Sequence, residues 1–141
     1  MVGGSPQKTP RATTALSIFF VLFTTCTEVG ANLRYEAVRD VIDGDTIVLQ
    51  SGERVRLAGI NTPELGRGGR LSEPLAKKAS STLRDLIGGQ LVGLEEAEDP
   101  LDRYGRTLAY IYNSAGQSLQ RQLLLKGLAS AVAISPNLHH L

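Results

Sequence analysis

The residues with chemistry to offer crowd into one stretch, Val41-Ile-Asp-Gly-Asp-Thr-Ile-Val-Leu49 followed by Val55-Arg-Leu-Ala-Gly-Ile-Asn-Thr-Pro-Glu64. Asp43 and Asp45 flank Gly44 between two apolar, strand-like runs. Arg56 sits inside a third run, which ends on the polar turn Asn61-Thr62-Pro63-Glu64. Acidic and basic groups at the ends of neighbouring strands converge easily, and such a place suits a metal ion and a phosphate. Asp45 has the clearest metal-ligand character, because hard cations take carboxylate and carbonyl oxygens. Its bland reading is a residue that caps a hairpin turn. Arg56 lies between Val55 and Leu57, and strand alternation turns it to the opposite face from both. An outward-facing arginine is the ordinary alternative.

These groups need strands to position them. Arg34 to Ile42 alternates polar and apolar residues and predicts a first strand. Asp43-Gly44 turns the chain into a second strand, Asp45 to Gln50. Ser51-Gly52-Glu53 is a tight turn, and Arg54 to Ile60 is a third strand. Leu65 to Leu71 is glycine-rich and reads as a loop. Ser72 is a helix N-cap with Glu73 and Pro74 in the first turn. Leu75, Ala76, Ala79, Leu83, Leu86 and Ile87 follow at helical spacing, and Gly88-Gly89 stops the helix. Leu91 to Leu94 is a fourth strand, followed by the acidic run Glu95 to Asp99. Asp102 to Arg106 is a polar turn leading to a fifth strand, Thr107 to Tyr112. Leu119, Leu123 and Leu124 line a second helix that could extend to Leu128, with Gly127 near its end. The class is therefore mostly β with α (α+β). Five short strands, with one helix between the third and fourth and a second helix after the fifth, outline an OB-type barrel.

A length of 141 residues suits one domain, and 42% hydrophobic residues suit one modest core. The N-terminus reads as a targeting segment over residues 1–31. Lys8 and Arg11 form its basic end, Ala15 to Phe23 its apolar centre, and Val29-Gly30-Ala31 a cleavage site before Asn32. The apolar run falls well short of the ~20 residues of a spanning helix. A secreted or periplasmic protein without a stable membrane span is expected. A lipoprotein anchored through Cys26 is disfavoured by the preceding Phe23-Thr24-Thr25. Residues 32–141 then form the single domain, without cysteine. It carries thirteen Lys and Arg against thirteen Asp and Glu, so bulk charge does not point to nucleic acid. Any such function must rest on the local placement of charge.

Four segments occur in order: Asp43-Gly-Asp-Thr46, Arg56 to Glu64, Asp102-Arg-Tyr-Gly-Arg106 with Leu108-Ala-Tyr110, and Leu124-Leu-Lys-Gly-Leu-Ala129. Together they resemble the staphylococcal nuclease (thermonuclease) family over roughly Tyr35 to Asn137. The resemblance implies an OB-fold barrel, Ca²⁺, and hydrolysis of DNA and RNA to 3′-phosphate products; a monomer is expected. Single-stranded or locally unpaired substrate is expected. Carried over by position, it implies that Asp45, Asn61 and the Thr62 carbonyl hold the metal. Glu64 would be the general base or water orienter, and Arg56 and Arg106 the clamp on the scissile phosphate. Arg103 and Tyr104 would contact the nucleotide.

The chain departs from the family at Asn61, where Asp is usual. An amide oxygen still ligates Ca²⁺ but brings no charge, so weaker metal binding is expected. Base-stacking tyrosines found in some relatives are missing after Gly127, where Val132, Ala133, Ile134 and Ser135 stand. Only Leu138-His-His-Leu141 follows Asn137, so the family's C-terminal helix is expected to be truncated. His139 and His140 read as a tail. Lys77, Lys78, Arg67 and Arg70 either attract the nucleic-acid backbone or only keep the surface soluble. Two functions stay open: a metal-dependent nuclease, and an impaired or non-catalytic nucleic-acid-binding barrel.

Overall fold

Three strands joined by tight turns begin the domain: β1 (Arg34–Asp43), β2 (Thr46–Leu49) and β3 (Arg54–Leu57). The computed structural model describes residues 33–87, 89–133 and 136, together with 1, 3 and 4. The rest of the targeting segment, Cys26, the cleavage point between Ala31 and Asn32, His139, His140 and the expected C-terminal truncation lie outside the described residues. After β3 come β4 (Ile60–Asn61), α1 (Ala76–Ile87), β5 (Leu91–Leu101), β6 (Thr107–Tyr112), α2 (Leu119–Leu125) and β7 (Ser130–Ala131).

The strands close into a five-stranded barrel in the order β1-β2-β3-β6-β5, the OB-type architecture expected from the sequence. Neighbours are antiparallel except β3 and β6, which run parallel with Val55 opposite Thr107. The core is filled by alternate strand residues, including Ile47, Leu49, Val55, Leu57, Val92, Leu94 and Ile111. Leu83 and Ile87 of α1 and Leu119 and Leu123 of α2 plug it from the outside. Each such side chain contributes about 1.5–3 kcal/mol by leaving water. Among the described residues no helix is long and apolar enough to cross a membrane.

Three local expectations are corrected. The third strand does not run from Arg54 to Ile60. It ends at Leu57, the chain turns at Ala58-Gly59, and Gly59 takes a φ of 75°, open to glycine at little steric cost. Ile60 and Asn61 then pair with Ala131 and Ser130 in a separate two-stranded sheet. The fourth barrel strand does not stop at Leu94 but runs through the acidic segment to Leu101, bulged between Glu96 and Leu101. There the acidic Glu96, Glu98 and Asp99 are exposed while Ala97 is buried, so the charges stay wet. Finally, α1 begins at Ala76 rather than just after Ser72, because Leu75 takes a φ of 69°. Ser72 instead accepts a hydrogen bond from the Gly66 N–H (3.1 Å) and holds the loop.

The second helix starts as its sequence indicates. The Ser118 hydroxyl oxygen accepts from the Arg121 N–H (3.3 Å), an N-cap contact worth about 1 kcal/mol. At its end Leu128 N donates to Leu123 O (3.0 Å) and Gly127 N to Leu124 O (3.0 Å). Gly127 at φ 65° makes this glycine-terminated cap possible.

Candidate active site

The β1–β2 turn is seated tightly. A Cβ on Gly44 would lie 2.6 Å from Thr62 Oγ1 and 2.8 Å from the Ala79 Cβ of α1. Only glycine lets the turn approach both, and this sets Asp45 beside Thr62. The Asp45 side chain is 5% exposed. Its Oδ2 accepts from Thr62 N (2.9 Å) and Thr62 Oγ1 (3.0 Å). Its Oδ1 accepts from Thr46 Oγ1 (3.1 Å) and lies 2.5 Å from Arg56 Nη1. A carboxylate has about four acceptor positions, and protein donors face all of them here.

Arg56 projects from β3 into this cluster. Its Nη2 donates to Asn61 Oδ1 (2.9 Å) and Ile60 O (3.3 Å). Its Nη1 is buried, and despite the close ion pair with Asp45 it has no aligned hydrogen-bond acceptor.

A cleft of about 470 Å³ opens beside Asp45, lined also by Asp43, Thr46, Glu64, Arg67 and Arg106. Glu64 is clamped at its backbone. Its N–H donates to Glu73 Oε2 (2.9 Å), and its carbonyl accepts from Glu73 N (3.0 Å). Partial burial of the Glu64 carboxyl pushes its pKa up. The negative charges of Asp43 and Asp45 push it further, Arg56 partly offsets them, and a hydrogen bond with Asp43 adds to the rise. Asp43 accepts from Gly44 N (2.9 Å), and its other oxygen lies 3.9 Å from Arg67 Nη2.

Arg106 reaches the cleft from the turn before β6. Asp102 accepts from Arg106 Nε (2.6 Å), Arg106 N (2.9 Å) and Tyr104 N (2.8 Å). Burial works against the Asp102 charge, but the hydrogen bonds from Arg106 and Tyr104 outweigh it and hold the pKa below its usual value. The Arg103 and Arg106 guanidinium carbons stand 4.8 and 5.4 Å from the Tyr104 ring centre, within cation–π range.

The structure therefore brings Asp45, Glu64 and Arg106 to one cleft, with Arg56 ion-paired to Asp45 and Thr62 buried against it. Asn61 is not part of the cleft. It is exposed, bonded to Arg56, and lines a neighbouring hollow with Ser130 and Val132. Arg103 and Tyr104 sit on the turn beside Arg106 without lining the cleft, whereas Arg67 and Arg70 line it. Lys77 and Lys78 are exposed on α1 and do not line it. Sequence reasoning missed Thr46, Glu73 and Asp102 as supports. Of these only Asp102 had a signal, its spacing of four residues from Arg106.

Chemically, Asp43, Asp45 and Glu64 gather negative charge that raises a carboxyl pKa. A divalent cation would relieve that repulsion, and an oxygen-only donor set suits a hard one. Among the described residues no three His, Cys, Asp or Glu side chains converge closely enough to hold a metal. A hard cation here would need carbonyl and water oxygens to complete its shell.

The sequence profile described as "Staphylococcal nuclease homologue" matches residues 54–140, more than half of the chain. The chain belongs to the staphylococcal nuclease family. It is 40% identical to the thermonuclease of Staphylococcus intermedius over 103 residues, 71% of this chain and 61% of that protein. It is 39% identical to endonuclease YncB of Bacillus subtilis (strain 168) over 101 residues, 68% of this chain and 47% of that protein. With the micrococcal nuclease of Shigella flexneri it shares 42% identity over 85 residues, 58% of this chain and 44% of that protein. The matches to the thermonucleases span about three fifths of their length. The staphylococcal nuclease match includes Arg56, Asn61, Thr62, Glu64, Arg103, Tyr104 and Arg106.

Proposed function

We propose that this chain is an exported, monomeric, Ca²⁺-dependent nuclease that hydrolyses DNA and RNA to 3′-phosphate products, preferring unpaired strands. One observation carries the reading: a carboxyl of raised pKa, Glu64, shares a cleft with the Arg106 guanidinium, while Arg56 stands ion-paired to Asp45. The names of the relatives, thermonuclease and endonuclease, support it.

Phosphodiester hydrolysis needs a positioned water and charge stabilisation as the transition state forms. Glu64 orients the water and takes its proton as the water oxygen bonds to phosphorus, the phosphorus–5′-oxygen bond breaks, and the departing 5′ oxygen takes a proton from solvent. A raised pKa makes its ionised form a better acceptor than an ordinary glutamate, and the Glu73 clamp holds the backbone from which it projects. Arg106 keeps Nε on Asp102 and presents its remaining N–H groups to the phosphate. Arg56 would join it once Nη1, buried against Asp45, is released from that carboxylate. Guanidinium forks match phosphate oxygens and keep their charge at any relevant pH. Bound Ca²⁺, held by Asp45 and the Thr62 carbonyl with Asn61 at the margin, would supply positive charge beside the phosphate.

The test is cleavage of single-stranded DNA by the folded chain with Ca²⁺ and with chelator, where only the Ca²⁺ sample should cut. A folded sample that binds the strand and never cuts it would establish the second reading, a nucleic-acid-binding barrel without turnover. That reading is favoured by the saturated Asp45 carboxylate and by Asn61 lying on Arg56. Asn61→Asp tests residue 61 within the nuclease reading, because it puts a negative charge beside Arg56. It should lower the Ca²⁺ concentration needed for half-maximal cleavage. An unchanged requirement places residue 61 outside the metal's influence.

A further inference from the structure

Of the four arginines lining the cleft, Arg67 and Arg106 each face a carboxylate, that of Asp43 and that of Asp102. Arg54 and Arg70 have no such partner among the described residues. Arg70 is carried by a loop. Arg54 is exposed but fixed on β3, whose backbone pairs with both β2 and β6. Val48 lies opposite it on β2, so no acid compensates it from there.

Its neighbours make the lack of a partner informative. Arg54 and Arg56 are two residues apart on one strand, so they share a face and stand about 6.6 Å apart. That is close to the step between neighbouring phosphates of an extended nucleic-acid strand. Val55 pairs with Thr107 in the parallel β3–β6 ladder, and one step back the same register sets Arg54 beside Arg106. Like charges on neighbouring strands are unfavourable unless something anionic lies between them. Asp102 offsets the Arg106 charge, but Arg54 has no ion-pair partner among the described residues, and both side chains line the same cleft.

We propose that Arg54 is a substrate-binding residue that holds the phosphate next to the scissile one. This rests on the nuclease reading, because the scissile phosphate is the one assigned to Arg56 and Arg106. Arg54 thereby places the strand along β3, two phosphates in register with two arginines. The ligand class is a single-stranded nucleic acid with at least two consecutive phosphates.

The experiment measures binding of a fluorescent single-stranded DNA hexanucleotide to the full chain, in chelator, across a salt series. Arg54→Gln should weaken binding by about tenfold, the loss expected for one charge-assisted contact. It should also flatten the slope of log K against log salt by about 0.7, one single-strand phosphate. Arg54→Lys should restore the slope and part of the affinity, since it keeps the charge but not the fork. Arg39→Gln removes an exposed charge from β1, away from the cleft, and should match the wild type. Wild-type affinity and slope in Arg54→Gln, or an equal loss in Arg39→Gln, overturns the assignment. Binding is read without turnover, so the two ideas fail separately. A chain that binds through Arg54 but never cleaves sinks the nuclease reading alone. Normal cleavage with unaltered Arg54→Gln binding sinks this inference alone, and a wild type that binds no strand sinks both.

Discussion

Glu64 is under opposing demands, because the neighbours that make it a useful base also make it a poor guest in the fold. Its pKa is raised by partial burial and by the charges of Asp43 and Asp45, so folding favours its protonated form. Below the unfolded value, near 4.5, folded and unfolded states both hold the proton and no penalty exists. As pH rises through the higher folded value, the ionised carboxylate meets two others and stability is lost. Glu64→Gln should therefore raise the melting midpoint at pH 7 in chelator, and the gain should vanish by about pH 4. The residue is exposed, so screening limits the effect to a few tenths of a kcal/mol, or about 2 °C. The same substitution should lower cleavage by about 100-fold or more, as the loss of a general base does. Paired melts and cleavage rates check both halves. A wild-type rate removes Glu64 from the mechanism, and an unchanged midpoint at pH 7 removes the repulsion. That Asp45, Glu64 and Arg106 could meet was legible from residue type and spacing, and they do share a cleft. The orientation of Asn61 was not, since whether an amide faces a cleft or an arginine depends on the chain turning at Ala58-Gly59.

At the scale of elements, the β1–β2 turn is the part that holds Asp45 in place. Gly44 lets it sit against Thr62 and Ala79 at distances that no Cβ tolerates. Gly44→Ala must push the turn, Thr62 or α1 aside, which should destabilise by about 1–3 kcal/mol. Any shift also loosens the Thr62 hydrogen bonds to Asp45, so activity should fall even where the protein stays folded. Urea unfolding with a rate measurement on the folded fraction checks this, and Gly52→Ala serves as the contrast. A Cβ at Gly52 meets no atom within 4 Å, although its φ of 94° still strains an alanine. Both variants should lose stability, but only Gly44→Ala should lose activity. Local signals served well for such turns, and they failed where pairing was distant. Gly59 inside an apolar run looked like a strand continuing, because its partner strand β7 lies far along the chain. The acidic run after Leu94 carried no strand signal, because only pairing with β6 makes Glu95 and Glu96 strand residues.

The barrel as a whole was legible from the order of its elements, but the way α2 seals it was not. The periodic leucines of α2 announced a face, and Leu119 and Leu123 do enter the core. Between them Gln120 read as an unremarked polar residue, yet it is buried. Its Oε1 accepts from Ile111 N (3.1 Å), and its Nε2 donates to Ala109 O (3.0 Å) and Ala58 O (3.4 Å). One side chain thus ties β6 to the point where the chain leaves β3. Gln120→Leu would leave those backbone groups buried without that partner, which should destabilise by roughly 2 kcal/mol or more. For a domain of this size that is a fall of about 10 °C in the melting midpoint. Gln122→Leu, on the same helix but only half-buried, should change stability by about 0.5 kcal/mol or less. Equal midpoints for the two variants would mean that Gln120 is not a fastener of the barrel. The loss should reach function as well, because Ala58 opens the segment that runs through Asn61 and Thr62 to Glu64. Loosening that exit frees Thr62 from Asp45 before the barrel melts, so cleavage by Gln120→Leu should fall at temperatures where its strands are still paired.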